Sequence, residues 1–350
     1  MSLSPEHIRA AKAESRLRDR DLAAELGISE AQLVAAHIGH GAQRIMAHPD
    51  QVMPQISRLG EVMALTRNES AVHERVGVFG EYRSGAHAAM VIGEDIDTRI
   101  FPKHWVYGFA LEQDTEKGPR RSLQFFDAAG DAVQKIFMRL GSDHGAWADV
   151  LAALAVEDQA QSQEQSLTVE PRAPTEPAKS RAENRDTLLS EWARMTDTHQ
   201  FNRLCAKLGM NRLGAYRLVA DTKWVTPMDV SAPAKMLEAV SLRGQEVILF
   251  VGNRGNIQIH WGKMEVITPM GPWLNVMDER FNLHLRGDHI AEVYVVEKPT
   301  KRGPAISLEA FDAEGGLIFQ VFGRRAGQED DNSSWHTLLS SLPLKLGVPA

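Results

Sequence analysis

The chain has 350 residues, 43% of them hydrophobic, and carries 39 basic and 46 acidic side chains for a formal charge of −7. That length divides into about two domains, each with enough apolar residues for a core. The acidic balance gives no general attraction to nucleic acid or to an anionic membrane, no apolar run of about 18 residues offers a membrane-spanning helix, and the single Cys205 supports neither an internal disulfide nor a thiolate metal site.

In chain order, the opening MSLSPEHIRAAKAESRLRDR lacks the apolar core of a secretory signal, so the expected location is the cytoplasm. Residues 5 to 39 have helical periodicity, with Gly27 ending one helix and Ser29, just ahead of Glu30, capping the next. The stretch RDLAAELGISEAQLVAA has the spacing of a DNA-binding helical pair. Its second helix carries no Arg or Lys, so a packed hairpin is expected, with no nucleic-acid partner. Strand candidates follow: SAVHERVGVFGEY, HAAMVIGE, HWVYGFALEQ, RSLQFFDA and AVQKIFMRL. Residues 157 to 186, rich in Gln, Glu, Pro and Ala, read as an exposed linker. Helical periodicity returns over 186 to 220, and strands EVILFVGN, IQIHWGKM, WLNVMDERFNLHLR, AEVYVVEKPT, AISLEAFDA and LIFQVFGRR complete the chain.

Two segments are versions of one another. At a constant offset of 185, Gly118, Pro119, Ser122, Leu123, Phe126, Asp127, Ala128, Gly130, Phe137 and Arg139 recur as Gly303, Pro304, Ser307, Leu308, Phe311, Asp312, Ala313, Gly315, Phe322 and Arg324. With small gaps, Leu26-Gly27 pairs with Leu208-Gly209, and Trp147 with Trp335. A repeat this long implies two copies of a domain rather than a solenoid. The expected organisation is an N-terminal repeat over 1–156, a linker over 157–186 and a C-terminal repeat over 187–350. Asp-Ala-x-Gly between the last two strands of each half is a turn composition that predicts an antiparallel hairpin. No strand-helix-strand alternation favours a parallel sheet, so the class is α+β.

The chain holds 13 histidines, without HExxH, paired His-x-His or a Cys-rich cluster. Two stand in unusual surroundings. His73 lies in LTRNESAVHERVG, and His199 lies on an expected helix with Arg203 and Arg212 beyond it, among Trp192, Phe201, Leu204 and Leu208. An imidazole beside aromatic surface and guanidinium groups suits a flat, apolar, anionic ligand, and it also suits plain core packing. EKPTKRGP and VFGRR bring Lys298, Arg324 and Arg325 next to strands rich in Phe and Tyr, which reads either as a cationic pocket edge or as a solvated strand end.

WARMTDTHQF, LGMNRLGAYRL, EKPT and VFGRR, together with ALTRNESAVHERVG, DIDTRIF and RSLQFFDAAGDAVQKIF, resemble the haem-utilisation proteins of the HemS, ChuS and PhuS type, also called haemin-degrading factors. The resemblance spans nearly the whole chain, including the duplication and linker. It implies two similar halves, each a large antiparallel sheet with attached helices, and a haem (iron protoporphyrin IX) in a cleft bordered by C-terminal helices and strands. By motif, His199 of TDTHQF corresponds to the axial iron ligand. Arg99 of DIDTRIF corresponds to a distal arginine with a catalytic role. Arg212, Lys298 and Arg325 fall where the family binds propionates or lines the pocket, and His73 matches a histidine tied in some members to a second haem. Where some relatives carry tyrosine, this chain has Phe322, which removes a hydroxyl near the haem. The resemblance implies either reductant-dependent oxidative opening of haem with release of iron, or a haem chaperone that delivers to a separate haem oxygenase. The partners it implies are haem, a haem importer or oxygenase, and an electron donor.

Overall fold

The Asp-Ala-x-Gly turns set the frame. In the computed structural model, which describes residues 3–116, 118–156, 166–325 and 332–346, each of them closes an antiparallel hairpin. Asp127 Oδ1 accepts from the backbone N–H of Ala129 and Asp131, and Asp312 Oδ1 accepts from that of Gly316. Gly130 and Gly315 take φ of +80° and +94°, the left-handed region that side chains disfavour. The same bulge recurs one strand earlier, at Phe125/Phe126 and at Ala310/Phe311.

The strands are β1 Ala42–Ile45, β2 Gly60–Arg67, β3 Ala71–Gly77, β4 Glu81–Arg83, β5 Ala89–Ile92, β6 Asp97–Ile100, β7 Tyr107–Gln113, β8 Arg120–Phe126, β9 Ala132–Ser142, β10 Val225–Met228, β11 Val247–Gly252, β12 Asn256–Gly262, β13 Trp273–Met277, β14 Phe281–Arg286, β15 Glu292–Lys298, β16 Ala305–Phe311 and β17 Leu317–Gly323. Two compact units contain them: residues 1–67, 73–173 and 252–258 in one, and 68–72, 174–251 and 259–350 in the other. The first unit runs β1-β7-β8-β9-β2-β3 and the second β10-β15-β16-β17-β11-β12, the same order written twice. The fold is α+β with an internal duplication, each copy built on a large antiparallel sheet.

Each sheet is covered on both faces. In the first unit, helices Pro49–Ile56 and Trp147–Leu154 pack Val52, Met53, Ile56, Trp147 and Val150 onto Val62, Leu123, Phe125 and Ile136. Ala31 and Val34 of helix Glu30–Ala35 meet Phe109 and Phe126 on the other face. In the second unit, Met236, Leu237 and Val240 of Ala232–Arg243 join Trp335 and Leu338 of Ser333–Ser340 over Leu308 and Val321. Helices Arg185–Ala193, Gln200–Lys207 and Arg212–Leu218 place Trp192, Phe201 and Tyr216 over Tyr294, Val296 and Phe311.

Helices Pro49–Ile56 and Ala232–Arg243 are additions to the pattern of helices, then strands, then one helix. Both begin with Pro in the first turn, where its fixed φ and missing N–H cost nothing. The N-terminal hairpin forms as read. Ser29 closes a capping box with Gln32, and Ala31, Leu33, Val34 and Ala35 are buried, so that helix spends its surface on packing. Of the expected linker, 157–165 lie outside the described residues, and 166–180 is irregular and mostly exposed. It is nevertheless pinned. Gln32 Nε2 donates to the Leu167 carbonyl and Tyr107 Oη to that of Thr168, both within the first unit. In the second unit, Asn211 bonds the backbone of Pro177 and Lys179. A Cβ on Gly214 would lie 1.9 Å from the Lys179 carbonyl oxygen, so only glycine permits this approach. Among the described residues, no helix is long and apolar enough to cross a membrane.

Candidate functional site

The segment TDTHQF folds on itself. Gln200 Oε1 accepts from the N–H of Thr196 and Asp197, and Asp197 Oδ1 accepts from the His199 N–H at 2.7 Å. These bonds make a tight turn that delivers His199 as the capping residue of Gln200–Lys207, with an exposed side chain. Two residues on, Phe201 is 1% exposed. Its ring sits edge-on to Trp192 at 4.5 Å and stacks on Tyr216 at 5.4 Å. The imidazole therefore projects from a backbone that a buried aromatic cluster holds still.

The cationic segments gather around the same turn. The Lys301 N–H donates to the Thr196 carbonyl at 3.1 Å. Arg325 reaches the other side of that loop, donating to the carbonyls of Arg302 and Pro304. Lys298, 3% exposed, lies with its ammonium 5.0 Å from the Phe201 ring centroid. Arg212 opens helix Arg212–Leu218 and bonds Asn202 Oδ1. Arg203 is exposed on the helix after His199, and Arg324 turns away to pair with Glu246 at 3.3 Å.

A buried acid that sequence reasoning missed ties this cluster together. Glu309 is 0% exposed and accepts from Lys298 Nζ (2.8 Å), Ser307 Oγ (2.8 Å), Arg212 Nη1 (3.1 Å) and Tyr216 Oη (3.0 Å). Burial works to raise its carboxyl, but the charges of Lys298 and Arg212 outweigh it and hold Glu309 at about 2. Burial pulls the Lys298 ammonium down against the support of Glu309. It also drives the Tyr216 phenol well up and the Cys205 thiol to about 12. The signal for Glu309 was present in ISLEAF: an acid alternating with Ser307 and Phe311 on one strand face needs an internal partner.

The face of the sheet bearing this cluster continues sideways. Ser307 pairs with Phe322 and Phe322 with Ile248, while Glu309 pairs with Gln320 and Gln320 with Phe250, so these side chains share a face. Phe250 and Phe322 meet edge-on at 5.7 Å, and with Ile248 they are half-buried. An exposed imidazole, a half-buried apolar shelf and cations at the edge together have the chemistry to take a flat apolar dianion that carries a metal.

The remaining two expected site residues lie in the first unit. Arg99 on β6 is half-buried and donates to the Asp97 carboxylate and, at 3.1 Å, to the Thr98 carbonyl. His73 on β3 is 0% exposed. The first unit has a buried charge cluster of its own, in which Glu30 bonds Lys135 and Arg67. Glu30 and Arg212 are equivalent first residues of equivalent helices, following Leu26-Gly27 and Leu208-Gly209. The position has opposite sign in the two copies.

Comparison with known proteins agrees with the duplication. The domain described as Haemin-degrading HemS.ChuX matches twice, over residues 27–154 and 209–342. The hemin transport protein HmuS of Yersinia pestis is 34% identical over 342 residues, covering 97% of each chain. The heme-binding protein PhuS of Pseudomonas aeruginosa, in its holo crystal structure, superposes with a TM-score of 0.91 at 37% identity, over 98% of this chain and 100% of that one. ChuS of Escherichia coli O157:H7, described as a heme degrading enzyme, gives 0.84 at 33% identity over 96% and 97%. The chain therefore belongs to the haemin-degrading HemS.ChuX domain family.

Proposed function

We propose that this protein works in the cytoplasm, where it binds imported haem through His199 and opens it oxidatively to release iron, using an external reductant and dioxygen. The observation that carries this reading is the exposed His199 imidazole, held on a hydrogen-bonded turn whose helix also carries Asn202, the partner of Arg212, in a unit where Phe250 and Phe322 share a sheet face with Glu309. Haem has a use for each of them: a nitrogen for iron, apolar surface for the disc, and positive charge for the propionates. In this reading Arg212, Lys298 and Arg325 supply the charge, and Phe322 packs against the ring. Arg99 is the catalytic donor in this reading, a charged group of the kind that favours developing negative charge. Bound haem supplies the redox chemistry, while the chain supplies orientation, polarity and shelter from water. The heme-degrading description of ChuS supports the enzymatic reading.

The name of HmuS, a hemin transport protein, favours a second reading in which haem is held and then passed to a separate oxygenase. One experiment separates the two: reductant-driven turnover of the haem-loaded protein, aerobic and anaerobic, with catalase present and products identified. Dioxygen-dependent formation of an open tetrapyrrole is expected, whereas recovery of intact haem would leave only transport. In the same preparation, His199→Ala should weaken binding and shift the Soret band with the circular dichroism unchanged. An unaltered spectrum and affinity would remove His199 as the ligand.

A further inference from the structure

This inference rests on the haem reading and deepens it. Glu309 gathers groups from three elements: Lys298 at the end of β15, Ser307 on its own strand β16, and Arg212 and Tyr216 from helix Arg212–Leu218. Without a shared counter-ion, an ammonium and a guanidinium packed this closely would repel. Lys298 is saturated: its Nζ also donates to Tyr216 Oη at 2.7 Å and lies 5.0 and 5.2 Å from the rings of Phe201 and Tyr216. Arg212 is not enclosed in this way, since its side chain is 23% exposed and its second amino group reaches out to Asn202. Two cations against one carboxylate leave a single positive charge in excess, and the only member with an outward edge is Arg212.

We propose that Glu309 is a positioning residue for ligand binding: it locks Lys298 and Arg212 into one cluster that presents its surplus charge, through Arg212, to one carboxylate of the bound ligand. Glu309 does not touch the ligand. The ionisable groups facing Lys298 are Glu309, Arg212, Tyr216 and Cys205. Tyr216 and Cys205 are pushed well above their ordinary values and Arg212 stays protonated, so Lys298, whose ammonium burial pulls down against the support of Glu309, is the member whose charge depends on that carboxylate.

Glu309→Gln keeps the size of the side chain, removes the charge that sustains the ammonium and turns one of its two accepting oxygens into a donor. The test is haem titration of wild type, Glu309→Gln and Glu309→Gln/Lys298→Met at pH 6, 7.5 and 9, reading the ratio of variant to wild-type Kd. The expected ratio for Glu309→Gln climbs at least about tenfold from pH 6 to 9, and the double variant gives a ratio that does not change with pH. A Glu309→Gln ratio that stays flat overturns the proposal, whether near one or raised in parallel with a loss of stability in the ligand-free protein. If that variant does not fold, Glu309→Asp serves. It keeps the charge but is one methylene too short for both cations, so weaker binding without a pH trend is expected, and wild-type affinity overturns the proposal. A wild type that binds no haem defeats the haem reading itself, whereas a binding wild type with an indifferent Glu309 defeats only this inference.

Discussion

Replacing Glu309 with leucine should cost the fold about 3 kcal/mol at neutral pH, and the cost should fade in acid. The carboxylate sits at about 2 in the folded chain, against about 4.3 unfolded. That gap of roughly two units corresponds to about 3 kcal/mol by linkage. An independent route agrees, since removing one partner of a buried ion pair typically costs about 3–5 kcal/mol. For a unit of this size the melting temperature should drop by roughly 6–12 °C. The sign follows from the depressed value. The stabilisation is complete above the unfolded value near 4.3 and is lost as pH falls through about 2, with about half remaining near pH 3. Urea denaturation of wild type and Glu309→Leu at pH 7, 4.5 and 3 measures this. A difference below about 1 kcal/mol at pH 7, or one equally large at pH 3, would refute the account of Glu309 as a buried counter-ion.

Arg99→Ala should still take up haem, because the proposed ligand His199 and the cations Arg212, Lys298 and Arg325 are untouched. Its reductant-driven oxidation should slow by roughly 10²-fold, the usual worth of a charged donor beside developing charge; equal rates with catalase present would leave Arg99 without a catalytic role. Gly214→Ala should push its methyl against the Lys179 carbonyl and release the 177–179 backbone from Asn211. A loss of about 1–3 kcal/mol is expected, with faster tryptic cleavage after Lys179; unchanged digestion would mean that the neighbouring chain absorbs the methyl.

Much of the architecture was legible because its signals are local. Asp127 and Gly130, like Asp312 and Gly315, specify their hairpins within five residues, and Ser29 with Gln32 specifies a helix start. Helices Pro49–Ile56 and Ala232–Arg243 left no such trace, being short or mixed in pattern and read against neighbouring strands. The site was legible only in part. His199 and Arg212 drew notice through their residue types and through family resemblance. Glu309 did not: its alternation with Ser307 marks an inward-facing acid, but the cations and the phenol that satisfy it lie 11, 93 and 97 residues away. The burial of His73 was not legible either, because a histidine inside a strand looks the same in sequence whether it faces water or is covered.

The opposite signs at Glu30 and Arg212 bear on how the two copies could have changed since they arose. Each residue is embedded among charges selected to match it: Lys135 and Arg67 around the one, Glu309 around the other. Exchanging the pair by recombination between the repeats would set a guanidinium against two cations in the first copy and a carboxylate against Glu309 in the second, burying like charges in both. Gene conversion over a short tract is thereby penalised, and only a tract long enough to carry a whole cluster escapes. A single early inversion of charge can thus act as a ratchet that keeps twin domains from homogenising and leaves one of them free to specialise.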